Sequence, residues 1–144
     1  MLCSLRPFPV PYSQFVRVVM PITCRILHLE RLVVGVSDGV IVLKDITDFI
    51  DRVLKERALP YRKLFDARRG TSGLSDADLK VLSNRMNPHP NPKGLGPFAI
   101  VARTDRSELG AVLRPFATID RPMRIFKDMP SARRWIDHQK TVGD

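Results

Sequence analysis

The chain has 144 residues and a formal net charge of +9, from 24 Lys and Arg against 15 Asp and Glu. That length predicts one domain able to bury a core without staples, and an apolar content of 44% excludes global disorder. Two cysteines, Cys3 and Cys24, and three histidines, His28, His89 and His138, give neither a disulfide framework nor zinc-ligand spacing, so no metal and no cofactor is expected and a reducing cytoplasm is the expected compartment.

Residues 1–19, "MLCSLRPFPVPYSQFVRVV", lack periodicity and carry Pro7, Pro9 and Pro11. The prolines interrupt any secretory or amphipathic leader. The stretch is expected to be a flexible tail or to lie upstream of the true start, with the domain over 20–140 and a short tail over 141–144. "ITCRILHL" (22–29) alternates apolar and polar residues, as a half-buried strand does. "RLVVGVSDG" (31–39) is a second strand, joined through Glu30–Arg31 as an antiparallel hairpin. "VIVL" (40–43) either prolongs it or leads into the next helix.

"LKDITDFIDRVLKERAL" (43–59) has Ile46, Phe49, Ile50, Val53 and Leu54 at helical spacing. Early acids and late bases suit its dipole, and Pro60 is expected to stop it. "YRKLFDA" (61–67) is a third strand and "SDADLKVLSNRM" (75–86) a second helix with Leu79, Leu82 and Met86 on one side. The loop 87–97 holds four prolines and two glycines. "FAIVAR" (98–103) is a buried strand, and "TDRSELGAVLRPFATI" (104–119) a helix that Pro115 bends or divides. "PMRIFKD" (122–128) is the last strand. "PSARRWIDHQ" (130–139) is a terminal helix with Pro130 in its first turn and Trp135 as packing anchor.

The order β-β-α-β-α-β-α-β-α predicts an α/β fold. It is a mixed, mostly parallel five-stranded sheet with an antiparallel N-terminal hairpin edge and four helices. No stretch reaches membrane-spanning length. The basic residues are spread along the chain with only short pairs, Arg62–Lys63, Arg68–Arg69 and Arg133–Arg134, and without interleaved aromatics. A solvated basic surface is expected rather than a nucleic-acid platform.

The element order, with "RLVVGVSDG", "YRKLFDAR", "FAIVAR" and "RIFKD…ARRWID", resembles the STAS domain, and within it the small stand-alone SpoIIAA-like bacterial proteins, over roughly residues 20–140. The resemblance implies a non-enzymatic regulatory or protein-interaction module. It also implies a phosphoacceptor serine at the start of the helix after the third strand, in a context like Asp-Ser-Ser-Gly-Leu. Thr71-Ser72-Gly73-Leu74 matches the last four positions, with Gly70 in place of the aspartate. Ser75 occupies the helix start but follows Leu74.

The candidate regulatory loop is therefore 68–75, with Thr71, Ser72 and Ser75 as hydroxyls and Asp66, Arg68 and Arg69 as support. Ser75 reads first as a helix N-cap. Asp76 and Asp78 oppose a phosphate there, whereas Arg68 and Arg69 are placed to neutralise one. Asp66 and Lys127 occupy positions like those of a receiver domain, but Asp38 and Asp45 supply no convincing Mg²⁺ pair; Asp66 is expected to cap the turn. No base–nucleophile or metal constellation is legible. The expected function is protein–protein interaction through this loop, the start of the helix at 75–86 and the neighbouring loop at 104–107, with a nucleotide or lipid pocket at the carboxyl ends of the parallel strands as the alternative.

Overall fold

The computed structural model describes residues 21–86, 95–103 and 121–139. Five strands, β1 (Ile22–Leu27), β2 (Leu32–Ile41), β3 (Arg62–Ser72), β4 (Phe98–Val101) and β5 (Met123–Phe126), form one sheet in the order 1-2-3-4-5. β1 and β2 are antiparallel, and the remaining neighbours are parallel. The helices are α1 (Leu43–Lys55), α2 (Asp76–Met86) and α3 (Met129–His138). Three helices therefore stand among the described residues. The fourth expected one, over 104–119, lies outside them, as do residues 1–20, 87–94 and 140–144.

The monotonic strand order decides where the helices go. Right-handed crossovers that all step in one direction along a sheet fall on the same face. α1 and α2 accordingly contact each other on one face, while α3, which follows the last strand, packs against β3, β4 and β5 on the other. On the α3 face, Leu32, Leu64, Ala99 and Val101 meet Ala132 and Ile136. Trp135 anchors this layer against Phe126, with ring centroids 5.7 Å apart. On the α1 face, Ile41, Ile46, Ile50, Leu82 and Leu95 form one cluster. Phe49 meets Phe65 edge-on at 5.5 Å.

Several boundaries differ from the expectations. The hairpin turn is four residues, His28–Arg31, closed by the Leu27–Leu32 pair, and Arg31 takes a left-handed conformation with φ 51°. α1 ends well before Pro60. Arg57 turns left-handed at φ 56°, and its N–H and that of Ala58 bond back to Leu54 and Val53. That is a Schellman end built without glycine. Leu54, expected on the apolar stripe, is exposed. α3 starts at Met129 because Asp128 caps it, accepting from the Ser131 N–H at 2.8 Å.

Gly96 fixes the entry to β4. Its N–H donates to the Leu59 carbonyl at 3.1 Å. A Cβ there would overlap the carbonyl oxygens of Pro60 and Tyr61. Neither backbone atom can swing away, so Gly96→Ala must separate the two segments. The variant is expected to lose about 1–3 kcal/mol, the range for forced overpacking, read as a lowered urea midpoint. An unchanged midpoint would contradict this docking.

Candidate functional site

β3 runs five residues beyond its expected end, so positions 68–72 are strand rather than loop. β2 reaches Ile41 and supplies ladder partners, Asp38 to Arg69, Gly39 to Gly70, Val40 to Thr71 and Ile41 to Ser72. β4 pairs with β3 only as far as Asp66. A two-stranded ribbon of β2 and β3 therefore projects past the other parallel strands at their carboxyl ends.

A bulge begins the ribbon. Between the Val36–Asp66 and Asp38–Arg69 pairs, β2 spends one residue, Ser37, and β3 spends two, Ala67 and Arg68. The buried Asp66 carboxylate holds this irregularity. Its Oδ1 accepts the Arg68 main-chain N–H at 3.1 Å and Nε at 2.9 Å, and its Oδ2 accepts Nη2 at 2.8 Å. The hydrogen bonds from the Arg68 side chain hold the Asp66 carboxyl below its usual value of 3.8 despite its burial. The same contact raises the Arg68 guanidinium pKa, with a further contribution from Asp128. Asp66 thus stabilises a strand bulge rather than capping a loop turn. Arg68 is engaged at the bulge and is not directed at the hydroxyls downstream; Arg69 is exposed.

The extra residue inverts the alternation of β3. Before it, Leu64 belongs to the α3 face. After it, Gly70 faces Ser37 and Ile41 on the α1 side. A Cβ on Gly70 would stand 2.9 Å from the Ser37 Cβ and closer still to its hydroxyl. Ser37 is itself buried, its Oγ reaching the Asp66 carbonyl at 3.4 Å. Glycine at position 70, where the resembled pattern has aspartate, thus fits a site with no room for a side chain.

The three hydroxyls have different surroundings. Ser75 caps α2. Its Oγ accepts the Asp78 N–H at 3.1 Å, and the Asp78 carboxylate accepts the Ser75 N–H at 3.0 Å, a reciprocal capping box. Ser72 Oγ accepts the Leu74 N–H at 3.2 Å. Thr71 is exposed, with Oγ1 3.5 Å from the Gly39 carbonyl. Val40, its partner across the ribbon, is 61% exposed, and Val42, two residues further along the same face, is 45% exposed. Val40 also lies against Gly73. One face of the ribbon is closed by Ile41 in the α1–α2 core, and the other offers Val40, Val42 and Thr71 to solvent.

A second grouping has no signal in the linear sequence. His28 in the hairpin turn lies 2.9 Å from the Tyr61 hydroxyl through Nδ1 and 3.4 Å from Glu56 through Nε2. These residues come from three segments, and only the hairpin and the end of α1 bring them together. Nearby, Arg52 donates to the Cys24 carbonyl at 2.7 Å; burial raises the Cys24 thiol pKa, against a reactive thiolate. Among the described residues no three His, Cys, Asp or Glu side chains converge as a metal site requires. Lys127, the other half of the receiver-like pattern, is exposed beyond β5.

No family model matches the sequence, and no curated protein is similar to it. Among solved structures, the chain is similar to an uncharacterized protein of the DUF3478 family with a SpoIIAA-like fold from Shewanella loihica PV-4. The two are 15% identical over 82% of this chain and 95% of that one, with a TM-score of 0.56. The fold is SpoIIAA-like, as the resemblance implied.

Ser75→Ala is expected to destabilise the protein by about 1 kcal/mol through loss of the cap, measured by urea unfolding, and no change would deny the cap its role. Asp66 gives a pH signature. Its folded pKa is depressed, so its contribution is complete above the unfolded carboxylate value and is lost as pH falls through the folded one. The wild type should therefore lose more stability than Asp66→Asn between about pH 5 and pH 2. Parallel acid profiles would contradict the clamp.

Proposed function

We propose that the chain is a non-enzymatic, cytoplasmic regulatory module that works by protein–protein interaction, using the outer face of the β2–β3 ribbon and the adjoining start of α2. The observation that carries the reading is the exposed pair Val40 and Val42 beside Thr71, on a ribbon whose opposite face is fixed in the core. Apolar side chains presented on a rigid element lose little further entropy on binding. The SpoIIAA-like fold supports the same reading.

Phosphorylation at Ser75 is not part of the proposal. A phosphate there would displace the Asp78 N–H and meet the carboxylates of Asp76 and Asp78. Thr71 is the hydroxyl that a kinase could modify without breaking a cap. A second reading, a nucleotide- or lipid-binding module, is favoured by Asp66, Arg68 and Asp128, which gather charge beside the carboxyl ends of β4 and β5. A ligand retained in native mass spectrometry would support it.

The test of the first reading is the double variant Val40→Asp/Val42→Asp. Both positions are solvent-exposed, so the thermal midpoint should hold within a few degrees. The variant should lose a partner that the wild type captures by cross-linking in an extract of its own cells. Capture of that partner by both proteins, or by neither, would reject the proposed surface.

A further inference from the structure

The amino ends of the parallel strands carry a second arrangement, opposite the ribbon. Lys63, near the start of β3, is 4% exposed. Its Nζ donates to the Leu59 carbonyl at 2.5 Å and the Tyr61 carbonyl at 2.8 Å, which leaves one ammonium N–H without a partner among the described residues. Phe98 is its register partner on β4. Over the ring of Phe98, at 4.8 Å from the centroid, lies the guanidinium of Arg121. The Arg121 charge, just ahead of β5, is thus close enough to act on the Lys63 ammonium.

Among the described residues no carboxylate forms an ion pair with Lys63 or Arg121, whereas Asp66, the other buried charged residue there, is paired with Arg68. Arg121 Nε is buried and has no hydrogen-bond partner among the described residues. The ring face of Phe98 attracts the guanidinium but leaves that in-plane N–H unsatisfied. Burial lowers the Lys63 pKa well below its usual value, with the Arg121 charge adding to the effect. Burial also lowers Arg121, to about 10. The surroundings therefore oppose both charges, and unsatisfied buried donors of this kind call for a missing partner. Arg121 keeps part of its surface in solvent, which provides the way in.

We propose that Lys63 and Arg121 form a binding site for a small oxyanion of the phosphate class, as free phosphate or as the terminal group of a phosphate monoester. The guanidinium supplies planar N–H donors suited to two oxygens of the anion, and the ammonium supplies a point charge and its remaining N–H. One dianion would neutralise both cations and satisfy the Nε–H. The site is independent of the ribbon surface, so either can stand without the other.

Thermal unfolding and calorimetric titration with inorganic phosphate, at ionic strength held constant with sodium chloride, test the site. The wild type should show a saturable rise in midpoint that chloride does not reproduce. Arg121→Gln, which changes a partly exposed side chain, should weaken phosphate binding at least tenfold. Lys44→Gln, an exposed side chain at the opposite end of the parallel strands, should bind as the wild type does. Lys63→Met should also weaken binding; should it fail to fold, the Arg121→Gln comparison decides. A parallel titration with ribose 5-phosphate separates the two sources: tighter binding than inorganic phosphate identifies a monoester ligand, and exclusion of the sugar identifies the free anion. No saturable response of the wild type to either compound, a response equalled by chloride, or full binding by Arg121→Gln would overturn the proposal.

Discussion

The grip of the Asp66 carboxylate on Arg68 sets the geometry of the carboxyl end of the sheet. A carboxylate with little solvent access must be hydrogen-bonded and paired, and here the partner is two residues away in the same strand. That closeness forces β3 to spend an extra residue, and the extra residue decides which side chains face out beyond it. Thr71 joins Val40 on the open face, and Gly70 turns inward against Ser37. A charge pair, rather than a hydrophobic pattern, thus chooses the outward surface of the ribbon. Its energetic weight lies in the geometry it imposes more than in the Coulombic attraction itself.

The larger features of the fold were legible because they rest on periodicity. The alternation in "ITCRILHL", the helical spacing of Ile46, Ile50 and Val53, and the β–α alternation led to the observed sheet and its antiparallel edge. The extent of β3 was not legible. "RRGTS" has turn-forming residues and no apolar alternation, and it is strand only because the end of β2 lies alongside with ladder partners to offer. Leu54 misled for the opposite reason: its spacing fits the apolar stripe, but the cover it would need does not exist at the end of α1. Arg57 stops that helix in a conformation glycine ordinarily provides.

The candidate site was legible in part. Ser75 followed by Asp78 is a capping pattern at sequence level, and the hydrogen bonds follow it. The roles of Asp66 and Arg68 were hidden, since a clamp across a bulge has no sequence signature once the bulge itself is unknown. The grouping of His28 with Tyr61 and Glu56 is hidden more deeply, because it needs the hairpin and the end of α1 placed in space. Lys63 reads as one half of an ordinary basic pair in the chain, yet its neighbour Arg62 reaches the carbonyls of Glu30 and Ile136 while Lys63 turns inward. Alternation along a strand separates adjacent identical charges into different environments.

The strand order 1-2-3-4-5 has a bearing on how the chain is made. Each strand pairs with one already present in the nascent polypeptide, so no gap in the sheet has to await a later segment. Synthesis from the amino terminus can extend the sheet at a single growing edge. The hairpin, the most local pairing, is available first as a template. α3 comes last and shields the face formed by Leu32, Leu64 and Ala99. During translation α3 can reach that face only after all five strands have been made. Chains stalled before Met129 would then present an apolar sheet surface, the kind of surface that chaperones and proteases recognise.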